Sequence, residues 1–410
     1  MNILIVNQPL NNRGDESAHR ALIRSIVKYI PEARVRVLFM GANPDSVKQF
    51  MVKDKNVQYS CKQHKHWLKA GGFLRHGLNH SLLWHVHPYV IQYLDNYRWA
   101  DAIVCAPGGI CMGGFMSWDH EYELMYAMKL HKPVFYYGRS IGPFWNEPAD
   151  KKRFKDQAIS ILKYSSYVSL REAESVRIAK ELGIKDIVET VDTAFLDYPE
   201  VEVPQEIRQR IGNNPYVVFV PNLLIWHYFY KNKATKEQVV DFWGKIIDVI
   251  NKHYPGHKLV MLPQTFNYGT YEGDDIHLFR DIEKAKPSSN LVVIDDSYSS
   301  DIQQTIIRSA KAMFGARYHS VVFAVNNNVP FVAFSYEHKI SGLLEELGLQ
   351  DEMIDIKSLF TSNDFNNSVI AKFDKILPNI HRSPEAQKKA KEKAKQAFDI
   401  FATKLEKHKL

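Results

Sequence analysis

Short continuous apolar runs alternate with longer amphipathic stretches along almost the whole chain, and this alternation restricts the fold more than any single motif. Ile3-Leu4-Ile5-Val6 is an apolar run followed by a polar, Gly-containing loop, Asn7–Asp15. Ala18, Leu22, Ile26 and Ile30 then recur at spacing four, with Ala21 and Ile23 beside them, which predicts a helix over about 16–30 that Pro31 stops. Arg34–Phe39 reads as the next strand. A strand–helix–strand opening of this kind favours a parallel sheet whose sites lie at the C-terminal ends of the strands. The pattern resumes at Ala102–Ala106, Pro133–Tyr137, Tyr167–Ser169 and Ile187–Val191. A stretch with Pro199, Pro204 and Pro215 interrupts it, and it returns at Tyr216–Val220, Lys258–Leu262, Leu291–Asp295, Ala312–Phe314 and Pro330–Phe334.

A chain of 410 residues exceeds what one hydrophobic core normally organises. The expected organisation is an α/β Rossmann-like domain over 1–198, a linker over 199–215, a second Rossmann-like domain over 216–380, and a closing basic helix over 381–410. In that last helix Ala390, Ala394, Ala397, Phe398, Phe401 and Leu405 form one apolar stripe, expected to pack across the domains. Residues 57–99 depart from the alternation. They hold His64, His66, His76, His80, His85 and His87 and read as a partly helical insertion, with an acceptor-side role as one option. The His-x-His pairs lack accompanying ligands at metal-binding spacing, so no metal is expected.

The charge pattern excludes a general nucleic-acid binder. Of the formal charge of +7, the tail from Arg382 to Leu410 carries most, with nine Lys/Arg against four Asp/Glu, and the remainder is nearly balanced. That basic helix would permit loose association with the inner membrane surface. No apolar run approaches the roughly 18 residues of a membrane helix. Met1–Val6 lacks the basic flank of a signal peptide. Cys61, Cys105 and Cys111 form neither a CxxC pair nor an even set. These features together give the expectation of a reduced, cytoplasmic protein.

Two turns could carry chemistry. In Gly315-Ala316-Arg317-Tyr318-His319-Ser320, between an apolar run and a helix-like segment, a permanent cation stands two residues from a group able to carry a proton near neutral pH. Such a pair suits an anionic substrate and acid–base chemistry, and it also fits a well-bonded structural turn. In Pro107-Gly108-Gly109-Ile110-Cys111-Met112-Gly113-Gly114, paired glycines after a strand would let backbone N–H groups approach an anion. The spacing matches neither GxGxxG nor a Walker loop.

Two βα halves closed by a late helix suggest the GT-B arrangement, and the motifs point further. Asn12-Arg13-Gly14-Asp15-Glu16, Gly108-Gly109, Ser140-Ile141-Gly142-Pro143-Phe144, Leu170-Arg171-Glu172 with Ser175, Asp192-Thr193-Ala194-Phe195, Arg317-Tyr318-His319, and Val329-Pro330 with Tyr336 and Lys339 occur in that order. The ordered set, spanning about residues 3–350, resembles the polysaccharide pyruvyl transferase family. Two positions depart from the family's pattern: Ile110 stands where a third glycine is common, and Thr193 where a proline is expected.

The resemblance implies transfer of a pyruvyl group from phosphoenolpyruvate to two hydroxyls of a sugar or lipid-linked saccharide, giving a cyclic ketal and phosphate, in a cleft between the two halves. It implies no cofactor, with phosphoenolpyruvate as donor substrate. It also distributes roles. His319 becomes the acid or base, Arg317 the clamp on the donor's anionic end, and Asp15 a base or acceptor contact. Arg171, Lys339, Arg13, Gly108, Gly109, Ser140 and Tyr336 become substrate-binding. Arg is matched to carboxylate and phosphate by its planar fork. Each residue also has a structural reading: a turn bond for His319, a helix-start ion pair with Glu172 or Glu174 for Arg171, a cap for Asp192, a solvated lysine for Lys339. A GT-B glycosyltransferase using a nucleotide sugar is the rival enzyme reading, and a carbohydrate-binding protein without catalysis the rival outside enzymes.

Overall fold

The computed structural model describes the chain except for residues 9–10, 41–47, 63–87, 115, 145–148, 228, 267–272 and 409–410. The chain divides into two compact units. Unit 1 comprises Met1–Leu10, Asp15–Asp197 and Glu392–Leu410, and unit 2 comprises Asn11–Gly14 and Tyr198–Lys391.

The elements of the first part are β1 (Asn2–Gln8), α1 (Arg13–Tyr29), β2 (Arg34–Met40), β3 (Val57–Lys62), α2 (Pro88–Trp99), β4 (Ala102–Cys105), β5 (Gly108–Gly113), α3 (Trp118–Lys129), β6 (Val134–Gly142), α4 (Ala149–Tyr164), β7 (Tyr167–Leu170), α5 (Ala173–Glu181) and β8 (Ile187–Glu189). The strands form one sheet in the order β3-β2-β1-β4-β6-β7-β8, with β5 pairing to β6, and every pair is parallel. Successive side chains of β1 go to opposite faces, as the pleat requires. Leu4 and Val6 join a core with Leu124, Tyr126 and Ala127 of α3. Ile3 and Ile5 join one with Leu22, Ile26, Val35 and Val37.

Two expectations change here. Residues 57–62 are not an excursion from the sheet: they pair with β2 in register from Val35↔Val57 to Met40↔Lys62. Val57 and Tyr59 pack against the core while Gln58 is exposed, and this period-two pattern over a few residues is easily missed beside the His-rich stretch. All six of those histidines lie outside the described residues. The glycine run is also not an open loop. Gly108–Gly113 is a strand paired with β6, Gly113 opposite Gly142. Gly113 has φ +127, and a Cβ there would collide with the Gly142 backbone, so glycine permits the pairing.

The second part runs α6 (Gln205–Ile211), β9 (Tyr216–Val220), α7 (Lys236–His253), β10 (Lys258–Met261), α8 (Asp275–Ala285), β11 (Leu291–Val293), α9 (Ser300–Arg308), β12 (Met313–Gly315), α10 (Tyr318–Asn326), β13 (Phe331–Ser335), α11 (His338–Leu347), β14 (Met353–Asp355), α12 (Asn363–Ile376) and α13 (Pro384–Glu406). The Pro-rich stretch read as a linker therefore contains a helix, α6. The sheet order β11-β10-β9-β12-β13-β14 is parallel throughout and is the doubly wound 3-2-1-4-5-6 order. Its winding reverses between β9 and β12. The α/β class with two Rossmann-like domains thus holds.

In α13, Glu392–Glu406 belongs to unit 1. There the Phe401 ring lies 4.9 Å from Tyr137, 5.6 Å from Phe135 and 5.8 Å from Tyr167, and Tyr167 Oη donates to the Ala397 carbonyl at 2.8 Å. Ala390, Ala394, Ala397, Phe398, Phe401 and Leu405 are all buried, as the stripe predicts. Several of the helix's lysines form ion pairs, Lys389 with Glu346, Lys393 with Glu189 and Lys395 with Asp399. No described helix is long and apolar enough to cross a membrane.

Candidate active site

Ligands of doubly wound sheets bind beyond the strand C-termini where the winding reverses. In unit 2 that point lies past β9 and β12, and β12 delivers Gly315–Ser320. A Cβ on Gly315 would overlap Ser320 Oγ, so glycine lets the chain fold back on itself here. The Ser320 hydroxyl and amide both donate to the Arg317 carbonyl, at 2.6 and 3.0 Å. Arg317 becomes the N-cap of α10 in extended conformation, and His319 falls in the helix's first turn. The Arg317 guanidinium donates through Nη2 to Thr265 Oγ1 at 3.0 Å and to the Asp275 carboxylate. Asp275 is buried at the start of α8, and its other oxygen accepts the amides of Gln264 (2.9 Å) and Thr265 (3.0 Å).

The segment Asn11–Gly14 meets the same place. Asn12 bridges to Thr265, the Arg13 amide donates to the Gln264 carbonyl at 2.9 Å, and the Phe266 amide donates to Asn11. The Arg13 guanidinium, 1% exposed, lies 5.2 Å from the Phe266 ring centre. Gly14 abuts His319 closely enough that a Cβ would overlap the imidazole Cγ and Nδ1. His319 is 5% exposed and stands edge-on to Tyr318 at 5.0 Å.

A second group forms beyond β9 and β13. Lys339 Nζ lies 2.9 Å from Glu337, and Glu337 lies 4.0 Å from His227 Nε2. Burial pushes the Glu337 carboxyl up, but the Lys339 ammonium beside it prevails and holds it below its ordinary value. Burial brings the His227 imidazole down to about 4 despite Glu337, so near neutral pH His227 is a neutral contact and the ion pair is Glu337–Lys339. Burial and then Glu337 raise the Tyr336 phenol, and Arg317 lowers it; Tyr336 is therefore a protonated hydroxyl within electrostatic reach of Arg317. The Trp226 ring stands edge-on to Tyr336 at 6.3 Å, and its indole N–H donates to Asn222 at 3.0 Å.

Unit 1 gathers a separate set at its own reversal point, past β1 and β4. A Cβ on Gly108 would lie 3.2 Å from Asp15 Oδ1 and 3.4 Å from Arg139 Nη1, so Gly108 gives close access to both groups. At Gly109 a Cβ would meet open space. Arg139 is buried, donating to the carbonyls of Ala106 and Gly109 and to Cys111 Sγ at 3.1 Å. Burial lowers its pKa, while Cys111, Cys105, Tyr136 and Asp15, in that order, raise it and prevail, so the cation is secured. Ser140 and Arg171 belong to a network beneath this. Arg171, 2% exposed, donates to Ser140 Oγ at 3.0 Å and to Asp192, while Ser140 donates to Glu172 at 2.8 Å. Asp192 also accepts the Ala194 amide at 2.9 Å, which makes it a cap. Among the described residues no group of three His, Cys, Asp or Glu is placed to hold a metal ion.

Residues 12–338 match the family model of the polysaccharide pyruvyl transferases. The chain belongs to this family. The resemblance drawn from the ordered motifs is therefore borne out, and membership places the protein among the pyruvyl transferases of polysaccharide biosynthesis. Amylovoran biosynthesis protein AmsJ of Erwinia amylovora is 24% identical over 409 residues, covering 92% of each chain. Among solved structures, the UDP-GlcNAc 2-epimerase of Neisseria meningitidis, bound to UDP-GlcNAc, aligns over 99% of this chain and 100% of its own with a TM-score of 0.58 at 12% identity. HepE of Anabaena, in complex with UDP and glucose, aligns over 98% and 99% with 0.56 at 14%. At these identities the likeness is one of fold, and such neighbours are GT-B epimerases and glycosyltransferases.

Of the pyruvyl transferase motif residues, Arg13, Arg317 and His319 converge in unit 2, with Tyr336 in reach of Arg317 and Lys339 on Glu337. Asp15 and Gly108 meet in unit 1, where the Gly109 carbonyl accepts from Arg139 at 3.2 Å, and Ser140 with Arg171 forms a further network. Sequence reasoning missed Asp275, Thr265, Asn222, His227, Glu337 and Arg139. Arg139 directly precedes Ser140 and Glu337 directly follows Tyr336, so both could have been taken from their motif neighbours. Asp275 is far in sequence from Arg317 and carried only the signature of a helix start.

Proposed function

We propose that this pyruvyl transferase moves the pyruvyl group of phosphoenolpyruvate onto two hydroxyls of one sugar in a cell-surface polysaccharide precursor, forming a cyclic ketal. The observation that carries the reading is the convergence of Arg317, His319 and Arg13 at the reversal point of the unit 2 sheet, in a chain of this family. Phosphoenolpyruvate concentrates a carboxylate and a phosphate on three carbons, and two arginines with a titratable imidazole match that demand.

In this scheme His319 delivers a proton to the vinyl CH2 carbon, and the central carbon becomes oxocarbenium-like. A first sugar hydroxyl bonds to that carbon and loses its proton. The C–O bond to phosphorus breaks, phosphate leaves with the bonding pair, and the second hydroxyl closes the ring as it loses its own proton. Arg317 neutralises the departing phosphate or the carboxylate. Tyr336 and Lys339 complete the donor side. Asp15, with Gly108 and Gly109 beside it, accepts hydrogen bonds from acceptor hydroxyls. The chemistry asks for acid–base groups and fixed cations only, with no further cofactor. The reading puts the reaction in the cytoplasm, on a saccharide or its lipid-linked form.

The test incubates pure protein with phosphoenolpyruvate and candidate saccharides, and measures phosphate release and an acid-labile pyruvyl ketal by mass. Arg317→Ala and His319→Ala are each expected to lower turnover by about 10² or more while leaving Tm close to the parent's. Full activity in both variants would remove these residues from the site. Thermal stabilisation by nucleotide sugars rather than by phosphoenolpyruvate would favour glycosyl transfer instead.

A further inference from the structure

We propose that Asp275 is a positioning residue for Arg317, holding the guanidinium at the angle from which it meets an anionic donor. The proposal rests on Arg317 being the donor's cation, as above. Asp275 is 2% exposed and sits at the first position of α8, where an acidic group is favoured by the unpaired amides of the helix start. Its carboxylate is divided between two tasks. Oδ2 takes the amides of Gln264 and Thr265 at 2.9 and 3.0 Å and fixes the backbone beyond β10. Oδ1 takes Nη2 of Arg317. Thr265, held by the first task, adds its own hydroxyl to the same Nη2 at 3.0 Å. Two acceptors, tied to each other by the Thr265 amide on Asp275 and the Asp275 amide on the Thr265 carbonyl, therefore grip a single nitrogen of the fork. A long side chain with several rotatable bonds is reduced to one orientation before any ligand arrives. The Gln264–Phe266 segment that carries this grip also pairs with Asn11–Arg13. Arg13 and Arg317 are in this way referred to the same short stretch of backbone.

Asp275→Asn separates the tasks. The amide oxygen still accepts the Gln264 and Thr265 N–H groups, while its NH2 replaces the acceptor that faced Arg317 and repels the guanidinium. The expected result is a rise in KM for the anionic donor of about 10-fold or more, with a loss in kcat/KM of up to about 10², and Tm little changed. In the double-mutant cycle Asp275→Asn should add almost nothing on top of Arg317→Ala, whereas independent sites would add. Additivity, or unchanged KM, would overturn the proposal. A second readout does not depend on the reaction being pyruvyl transfer. Phenylglyoxal labels mobile guanidinium groups, and peptide mapping should show Arg317 labelled several-fold faster in Asp275→Asn than in the parent protein. If labelling rises but phosphoenolpyruvate is never turned over, the positioning role stands and the proposed donor falls. Equal labelling in a folded variant sinks the positioning role itself.

Discussion

Gly14 has no room for a side chain, because the space a Cβ would occupy is filled by the His319 imidazole. Gly14→Ala should displace the ring rather than the backbone of a paired segment. Turnover is expected to fall by about 10², as a misplacement of about 1 Å does elsewhere, with stability reduced by about 1–3 kcal/mol for the overpacking. Kinetics alongside urea unfolding would check it; normal kcat with normal stability would show that His319 tolerates the shift. At this scale much of the candidate site was legible. Arg317-Tyr318-His319 announces itself by residue type, and the turn that presents it needs the Gly315 and Ser320 found there. The partners were not legible. Asp275 acts through two backbone amides and one guanidinium nitrogen, contacts fixed by folding between segments far apart in sequence.

Among the elements, α13 shows an apolar stripe becoming a structural commitment. Phe401, wholly buried, meets three aromatic rings from β6 and β7. Phe401→Ala should cost about 3–5 kcal/mol, read as a fall in the urea midpoint, and should leave the donor KM of the surviving folded fraction unchanged. α7 offers a smaller test: Thr235 and Gln238 form a reciprocal capping box, with bonds of 3.3 and 2.8 Å, and Thr235→Ala should cost about 1 kcal/mol. The helices and buried strands were plain in the sequence because a period of four residues or a continuous apolar run is a strong signal. The glycine strand β5 was not, since six residues dominated by glycine and sulfur side chains carry almost no β pattern. Its pairing comes from the neighbouring β6 and from the contact of Gly113 with Gly142, which only the folded sheet supplies.

For the molecule as a whole, acid is the expected weakness. His19 lies wholly buried in α1, 6.1 Å from the Phe39 ring, and burial with Arg20 beside it brings its imidazole down to about 3. Burial lowers His120 as well. An unfolded histidine titrates near 6.5, so below that pH the unfolded chain binds a proton that the native one refuses. Stability from His19 is complete above about pH 6.5 and declines by about 1.4 kcal/mol per pH unit below it. Urea midpoints should fall between pH 7 and pH 5, and His19→Gln should flatten that fall; an unaltered slope would point to other groups. The two-unit organisation was readable from the paired βα series, but not the membership of Asn11–Gly14. That short stretch follows β1 of unit 1 in sequence and yet pairs with Thr265 and Phe266 of unit 2. Neither half of the gene therefore encodes a whole half of the protein. A chimera that exchanged residues 198–391 between two relatives would inherit a foreign floor beneath His319. Successful recombination of the two units would have to carry four N-terminal codons along with the distant block they serve.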